Sequence, residues 1–88
     1  MIKLVGKIKE IVPEETYKAH SKKLMKKKNV ILKMENNQLV KVQFQGHEMN
    51  LLEGFKENQE VLIECIFRGQ YSTNRFYDNI VGKKIIKH

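Results

Sequence analysis

Hydrophobic and polar positions alternate along most of the chain with a period of two. Ile2, Leu4, Gly6 and Ile8 alternate with Lys3, Lys7 and Lys9, and Ile11-Val12 precede Pro13. Such alternation sorts side chains onto the two faces of a pleated strand, so a first strand is predicted here. Gly6 marks a place where a strongly bent strand takes a bulge or coil. Residues 14–25 are polar and basic, which predicts a long connection or arm. From Asn29 to Met34 a second strand puts Val30, Leu32 and Met34 on one face and Lys33 on the other. Glu35-Asn36-Asn37 is a turn signal, and beyond it Val40, Val42 and Phe44 alternate with Lys41, Gln43 and Gln45 in a third strand. Phe44 therefore belongs to the core.

After Gly46 the period changes: Met49, Leu51, Leu52 and Phe55 have spacings that predict a short helix closing near Gly54. Lys56 to Gln59 is a turn. A fourth strand follows from Val61 to Arg68, with Val61, Ile63, Cys65 and Phe67 on its inward face. Gly69 to Asn74 reads as a loop. A fifth strand runs from about Arg75 to Ile86, bent near Gly82, with one of Phe76 and Tyr77 inward. Three strands, a short helix and two more strands is the order of an OB fold. The expected fold is thus all-β, a five-stranded OB-fold Greek-key barrel with the helix between strands three and four. An SH3-like barrel has no helix there. A single domain over 1–88 is expected, with a basic strand one–two arm at about 14–28.

Composition narrows this further. At 88 residues the chain has room for one small core, burying roughly 60–65% of the unfolded surface, and 41% apolar residues suffice to build it. One cysteine permits neither an internal disulfide nor a Cys-based zinc site. The start, MIKLVGKIKE, has no uninterrupted apolar stretch, and no run approaches the ~20 apolar residues of a membrane span. A cytoplasmic protein without membrane partners is expected.

The charge is unevenly placed. Of 17 basic residues, seven lysines (Lys18, Lys22, Lys23, Lys26, Lys27, Lys28, Lys33) lie between Thr16 and Met34, a stretch without acids, while the other ten basic residues cancel the ten acidic ones. The whole net charge of +7 therefore sits there. A single-sign region attracts polyanions, since neutralised phosphates release condensed counterions. Lysine acts as a point charge rather than a base-reading fork, which implies sequence-indifferent binding. As a membrane arm the segment is too poor in apolar residues (Tyr17, Leu24, Met25) to insert deeply.

Catalytic constellations fail on inspection. His47-Glu48 opens like a metalloprotease motif, but position 51 is Leu where a second His is needed. His20, His47 and His88 are dispersed, the glycines are scattered singly, and Cys65 shares a face with Val61 and Ile63 as a buried thiol would. No enzyme, metal or cofactor is expected.

Binding is better supported. OB folds take single strands on the outer face of strands two and three, between the one–two and four–five loops. The second of these, Arg68 to Tyr77, holds both arginines of the chain and two of its three tyrosines. Basic residues that track a backbone, together with aromatics that stack on bases, make a single-strand groove. The candidate residues are Lys22, Lys23, Lys26, Lys27, Lys28, Lys33 and Lys41 on one side and Arg68, Tyr71, Arg75 and Tyr77 on the other. Tyr71 is the leading stacking candidate, and Tyr17 either stacks or anchors the arm. His20, in the lysine-rich stretch, is a further phosphate contact when protonated.

Two stretches also carry a resemblance. Met25-Lys26-Lys27-Lys28-Asn29-Val30-Ile31-Leu32, and Tyr71 followed by Arg75-Phe76-Tyr77-Asp78-Asn79-Ile80, resemble the entries into strands two and five of a small uncharacterised family. Its members are short OB-fold proteins, mainly from Bacteroidetes, related to bacterial single-stranded DNA-binding proteins. The resemblance implies single-stranded nucleic acid as partner, DNA more than RNA. Met25 stands where the family often has Trp, so one stacking platform is missing. The basic Lys83-Lys84-Ile85-Ile86-Lys87-His88 differs from the acidic, partner-recruiting tail of the housekeeping bacterial proteins. The alternative is an OB-fold interaction or assembly module that docks an acidic partner, or forms homo-oligomers by pairing the edge of strand one or strand four.

Overall fold

The computed structural model describes the backbone over residues 1–18, 21–72 and 75–88, and the side chains of those residues outside 70–78. The chain runs β1 (Ile2–Ile11), β2 (Glu15–Lys18), β3 (Leu24–Met34), β4 (Leu39–Gln45), a 3₁₀ helix (Gly46–Leu52), β5 (Glu60–Ser72) and β6 (Arg75–Lys87). The sheet order is β1-β5-β6-β4-β3-β2, and an additional β1–β3 pairing closes five of the strands into a ring with β2 outside it. A closed five-stranded Greek-key barrel with a helical turn between its third and fourth strands is the OB fold.

Closure depends on β1 changing partners along its length. Ile2–Lys7 pair with β5, and Gly6–Ile11 pair with β3. At the crossover the strands come so close that a Cβ on Gly6 would lie 2.6 Å from the carbonyl oxygen of Lys33 and 2.9 Å from Cγ of Leu32. Gly6 is thus a close-approach glycine. The bulge itself falls between Ile8 and Glu10, where an extra residue sharpens the bend.

The inward faces of the strands supply the core. Ile8, Val30, Leu32, Val42, Phe44, Val61, Ile63 and Cys65 are fully buried, each large aliphatic or aromatic side chain contributing roughly 1.5–3 kcal/mol. The Cys65 thiol donates to the carbonyl of Ile2 at 3.5 Å, and burial pushes its pKa up. It is a core group, not a thiolate nucleophile.

The 3₁₀ helix packs against β3, β4 and β6. Met49, Leu52 and Phe55 recur every third residue, which suits three residues per turn. Leu52 is buried and Met49 and Phe55 pack against the core, whereas Leu51 faces out. Gly46 and Gly54 bracket the turn at φ +55° and +85°.

Two elements depart from the sequence reading. The expected arm is in part a hairpin: Glu15–Lys18 pair antiparallel with Leu24–Lys27, through a turn in which Lys22 has φ +62°. β3 begins five residues before the predicted Asn29, and β2 satisfies its edge there by backbone hydrogen bonds that need no apolar pattern. The expected loop 69–74 is largely strand, since β5 and β6 stay paired from Gly69↔Asp78 to Ser72↔Arg75.

Candidate nucleic-acid interface

The outward faces of β3 and β4 form a polar surface in register. Lys27 stands opposite Gln45, Asn29 opposite Gln43, Ile31 opposite Lys41, and Lys33 opposite Leu39. β2 extends this surface with Glu15 opposite Lys27 and Tyr17 opposite Met25. These positions follow from the strand period: Val30, Leu32, Val42 and Phe44 point inward, so their neighbours must point outward.

The β2–β3 hairpin changes the electrostatics read from the sequence. Pairing brings two glutamates from just outside the acid-free stretch onto its lysines. Lys26 Nζ lies 3.8 Å from Glu14 Oε2, and Lys27 Nζ lies 3.4 Å from Glu15 Oε1. Lys27 also sits over the ring of Tyr17, 5.0 Å from its centroid. Such a cation–π contact is worth ~0.5–1 kcal/mol at an exposed site and, with Glu15, holds the ammonium over β2. Asn29 Nδ2 donates to the same Glu15 oxygen at 3.3 Å, while its buried Oδ1 has no partner.

Across the face, the base of the β5–β6 hairpin leans over β4. Lys41, Gln43, Phe67, Asn79 and Ile80 line a groove of about 220 Å³. The Arg68 guanidinium closes its end by donating to Gln45 Oε1 at 3.5 Å. Gln43, although on the outward face, is buried here. Phe67 is 64% exposed, which corrects the inward placement expected from alternation. Cys65 is the last residue of that inward set with core beneath it. Two residues on, β5 has run past the barrel, so the same side of the strand meets the groove and solvent instead. An aromatic wall, three side-chain amides and two cations can stack a base and hold its phosphates.

The candidate residues are distributed as follows. Lys33 and Lys41 are exposed on the outer face, and Arg68 stands at the groove end. Lys26 and Lys27 are carboxylate-paired on the hairpin; Lys28, beside Phe44 in register, is half-buried on the inward side. Lys22 and Lys23 lie exposed at or beside the hairpin turn. The side chains of Tyr71, Arg75 and Tyr77, and all of His20, lie outside the described residues. The sequence reading missed Phe67, Gln43 and Asn79. No feature of the sequence marked them, because where β5 runs past the barrel is set by the packing beneath it. Among the described residues, no group of three His, Cys, Asp or Glu could hold a metal ion, and no helix is long and apolar enough to cross a membrane.

Comparison with protein-family models finds no match, and neither does comparison with curated proteins. Among solved structures, the crystal structure of the mitochondrial single-stranded DNA-binding protein of S. cerevisiae is similar, with a TM-score of 0.67 and 15% identity. The match covers 98% of this chain and 91% of that one. At that identity the likeness is one of fold: β1–β6 with the intervening 3₁₀ helix is an OB fold similar to that of a single-stranded DNA-binding protein.

Proposed function

We propose that this chain binds single-stranded nucleic acid, DNA in preference to RNA, with little sequence selectivity. The observation that carries the reading is the groove in which exposed Phe67 faces Lys41 and Gln43 across the outer face of β4. It lies where OB folds take single strands. Lys22, Lys23, Lys26, Lys27, Lys33 and Lys41 would hold phosphates, while Lys28, on the inward side, is left out of the track. Arg68, with Tyr71, Arg75 and Tyr77 of the β5–β6 hairpin, would close the opposite side, and Phe67 would stack a base. The similarity of fold to a mitochondrial single-stranded DNA-binding protein supports the reading, as does the resemblance of the β3 and β6 entries to the short Bacteroidetes family. In this proposal residues 1–88 act as one cytoplasmic unit, without catalysis, and the β2–β3 hairpin is its basic arm.

Fluorescence anisotropy with oligo-dT, the matching RNA and a duplex, at several salt concentrations, tests it. Roughly four to six engaged phosphates give a log–log salt slope of about −3 to −4 for the single strand. No binding above background at low salt would sink the reading.

A second reading, an assembly module, has its own observation. Val5, Leu62 and Ile86 stand side by side across β1, β5 and β6, with Val5 40% and Ile86 44% exposed. The β3-side edge of β1 from Ile2 to Val5 is unpaired by any described strand. Pairing of copies there would show as a concentration-dependent mass in sedimentation, abolished by Val5→Lys.

A further inference from the structure

At the end of β3 farthest from the hairpin, Lys33 stands directly opposite Lys7 of β1. Like charges directly opposite in an antiparallel pair destabilise it. Glu60 of β5 stands opposite Lys7 on its other side but forms no ion pair with it, which leaves room for an anion between the two lysines. Both side chains are exposed, and among the described residues neither ammonium has a carboxylate within 4.0 Å. The two lysines line a cavity of about 480 Å³, the larger of the two described on the molecule. That volume lies within the ~300–1,000 Å³ of small-ligand sites. Val5, Gly6 and Met34 supply an apolar part of the wall, and Asn37 an amide. Gly6 lets β1 and β3 approach closely here, which brings Lys7 and Lys33 to the same rim.

The cavity also lies on the path of the outer face. Lys27 and Lys33 are six residues apart on one strand, about 20 Å, with Lys41 beside Ile31 between them. A chain of phosphates leaving Lys27 and Lys41 reaches Lys33 next.

We propose that this cavity is a nucleotide subsite ending the single-strand track, in which Lys7 and Lys33 share one phosphate and the attached base rests on Val5, Gly6 and Met34. Glu35 and Glu60, which line the same cavity, repel a second phosphate and so limit the site to one. The inference rests on the single-strand reading above and adds Lys7, which lies outside the lysine-rich stretch.

The test compares the full chain with Lys7→Gln/Lys33→Gln by anisotropy on oligo-dT across a salt series. Loss of one phosphate contact makes the salt slope shallower by about 0.7 and weakens binding about tenfold at low salt. Thymidine monophosphate, followed by amide chemical shifts, should perturb Lys7, Lys33 and Asn37 in the wild type and leave them unmoved in the variant. Removing the like-charge pair should raise Tm at low salt, and the single variants Lys7→Gln and Lys33→Gln repeat the comparison with less change to the surface. Equal affinity and slope for wild type and variant, while Phe67→Ala weakens binding, would overturn the subsite and leave the single-strand reading standing. No binding by the wild type would overturn both.

Discussion

A Cβ atom on Gly82 would lie 2.4 Å from Cζ of Phe44 and 2.5 Å from its Cε1, so the Phe44 ring fills the space where any other residue at 82 would carry its side chain. Gly82 is paired with Cys65 beside the register shift of β6, at the bend where that strand crosses the core. Overpacking a core by a methyl group costs ~1–3 kcal/mol, and here the ring is itself fully buried. Gly82→Ala should therefore lower the unfolding free energy, read from urea titrations, by at least that amount, and Gly82→Ala/Phe44→Leu should recover part of the loss. Gly6→Ala should lack any such rescue, because the opposing atom is the Lys33 carbonyl oxygen, a backbone atom.

Phe67 separates binding from stability. As an exposed side chain on the groove wall it adds little to the core, so Phe67→Ala should change unfolding free energy by no more than ~0.5 kcal/mol. A stacked base is worth ~1–3 kcal/mol, so oligo-dT affinity should fall roughly 5–150-fold. Phe67→Trp should retain it. Anisotropy and thermal melts on the same preparations check both halves, and an unchanged affinity counts against the groove.

Glu14 and Glu15 occupy the positions that phosphates would take on Lys26 and Lys27. Exposed pairs of this kind are worth only ~0.2–1 kcal/mol, so a phosphate displaces them cheaply. Glu14→Gln/Glu15→Gln should raise low-salt affinity several-fold and steepen the salt slope, with a Tm change of a few degrees at most. A variant that binds more weakly would show that the glutamates position the lysines instead.

The pairing of Glu48 with Lys83, 3.1 Å apart, ties the 3₁₀ helix to β6. The hydrogen bond from Lys83, with the carboxyl's own backbone N–H and the Lys83 charge, holds Glu48 below the usual carboxylate range. A folded-state pKa below the unfolded value of ~4.3 stabilises the fold above that pH. The contribution is lost as pH falls through the depressed value. The pair is part-exposed, so the effect is at most about 1 kcal/mol. Urea titrations from pH 6 to pH 3 should show wild type losing more stability than Glu48→Gln; parallel curves would count against the pairing.

How much of this was legible in the linear chain follows from what alternation encodes. Val30, Leu32, Val42 and Phe44 were assigned inward from period two and are fully buried. Met49, Leu51, Leu52 and Phe55 marked a short helix; its 3₁₀ geometry turns Met49, Leu52 and Phe55 inward at three-residue spacing and leaves Leu51 exposed. The β2–β3 hairpin was not legible, since Glu15-Thr16-Tyr17-Lys18 buries no apolar face and is held by backbone pairing. Phe67 was misread because alternation reports the side of a strand but not where the core beneath it ends.

The sequence by itself determined the order of the five barrel strands, the inward residues of β3 and β4 and of β5 as far as Cys65, and the concentration of positive charge in residues 16–34, because these depend on local period and composition. Only the tertiary structure decided which lysines carry that charge freely. Antiparallel pairing set Glu14 and Glu15 on Lys26 and Lys27, and β1 crossing β3 at Gly6 placed Lys7 against Lys33. Register joins residues far apart in the chain, and at the range of an ion pair those neighbours set the local field.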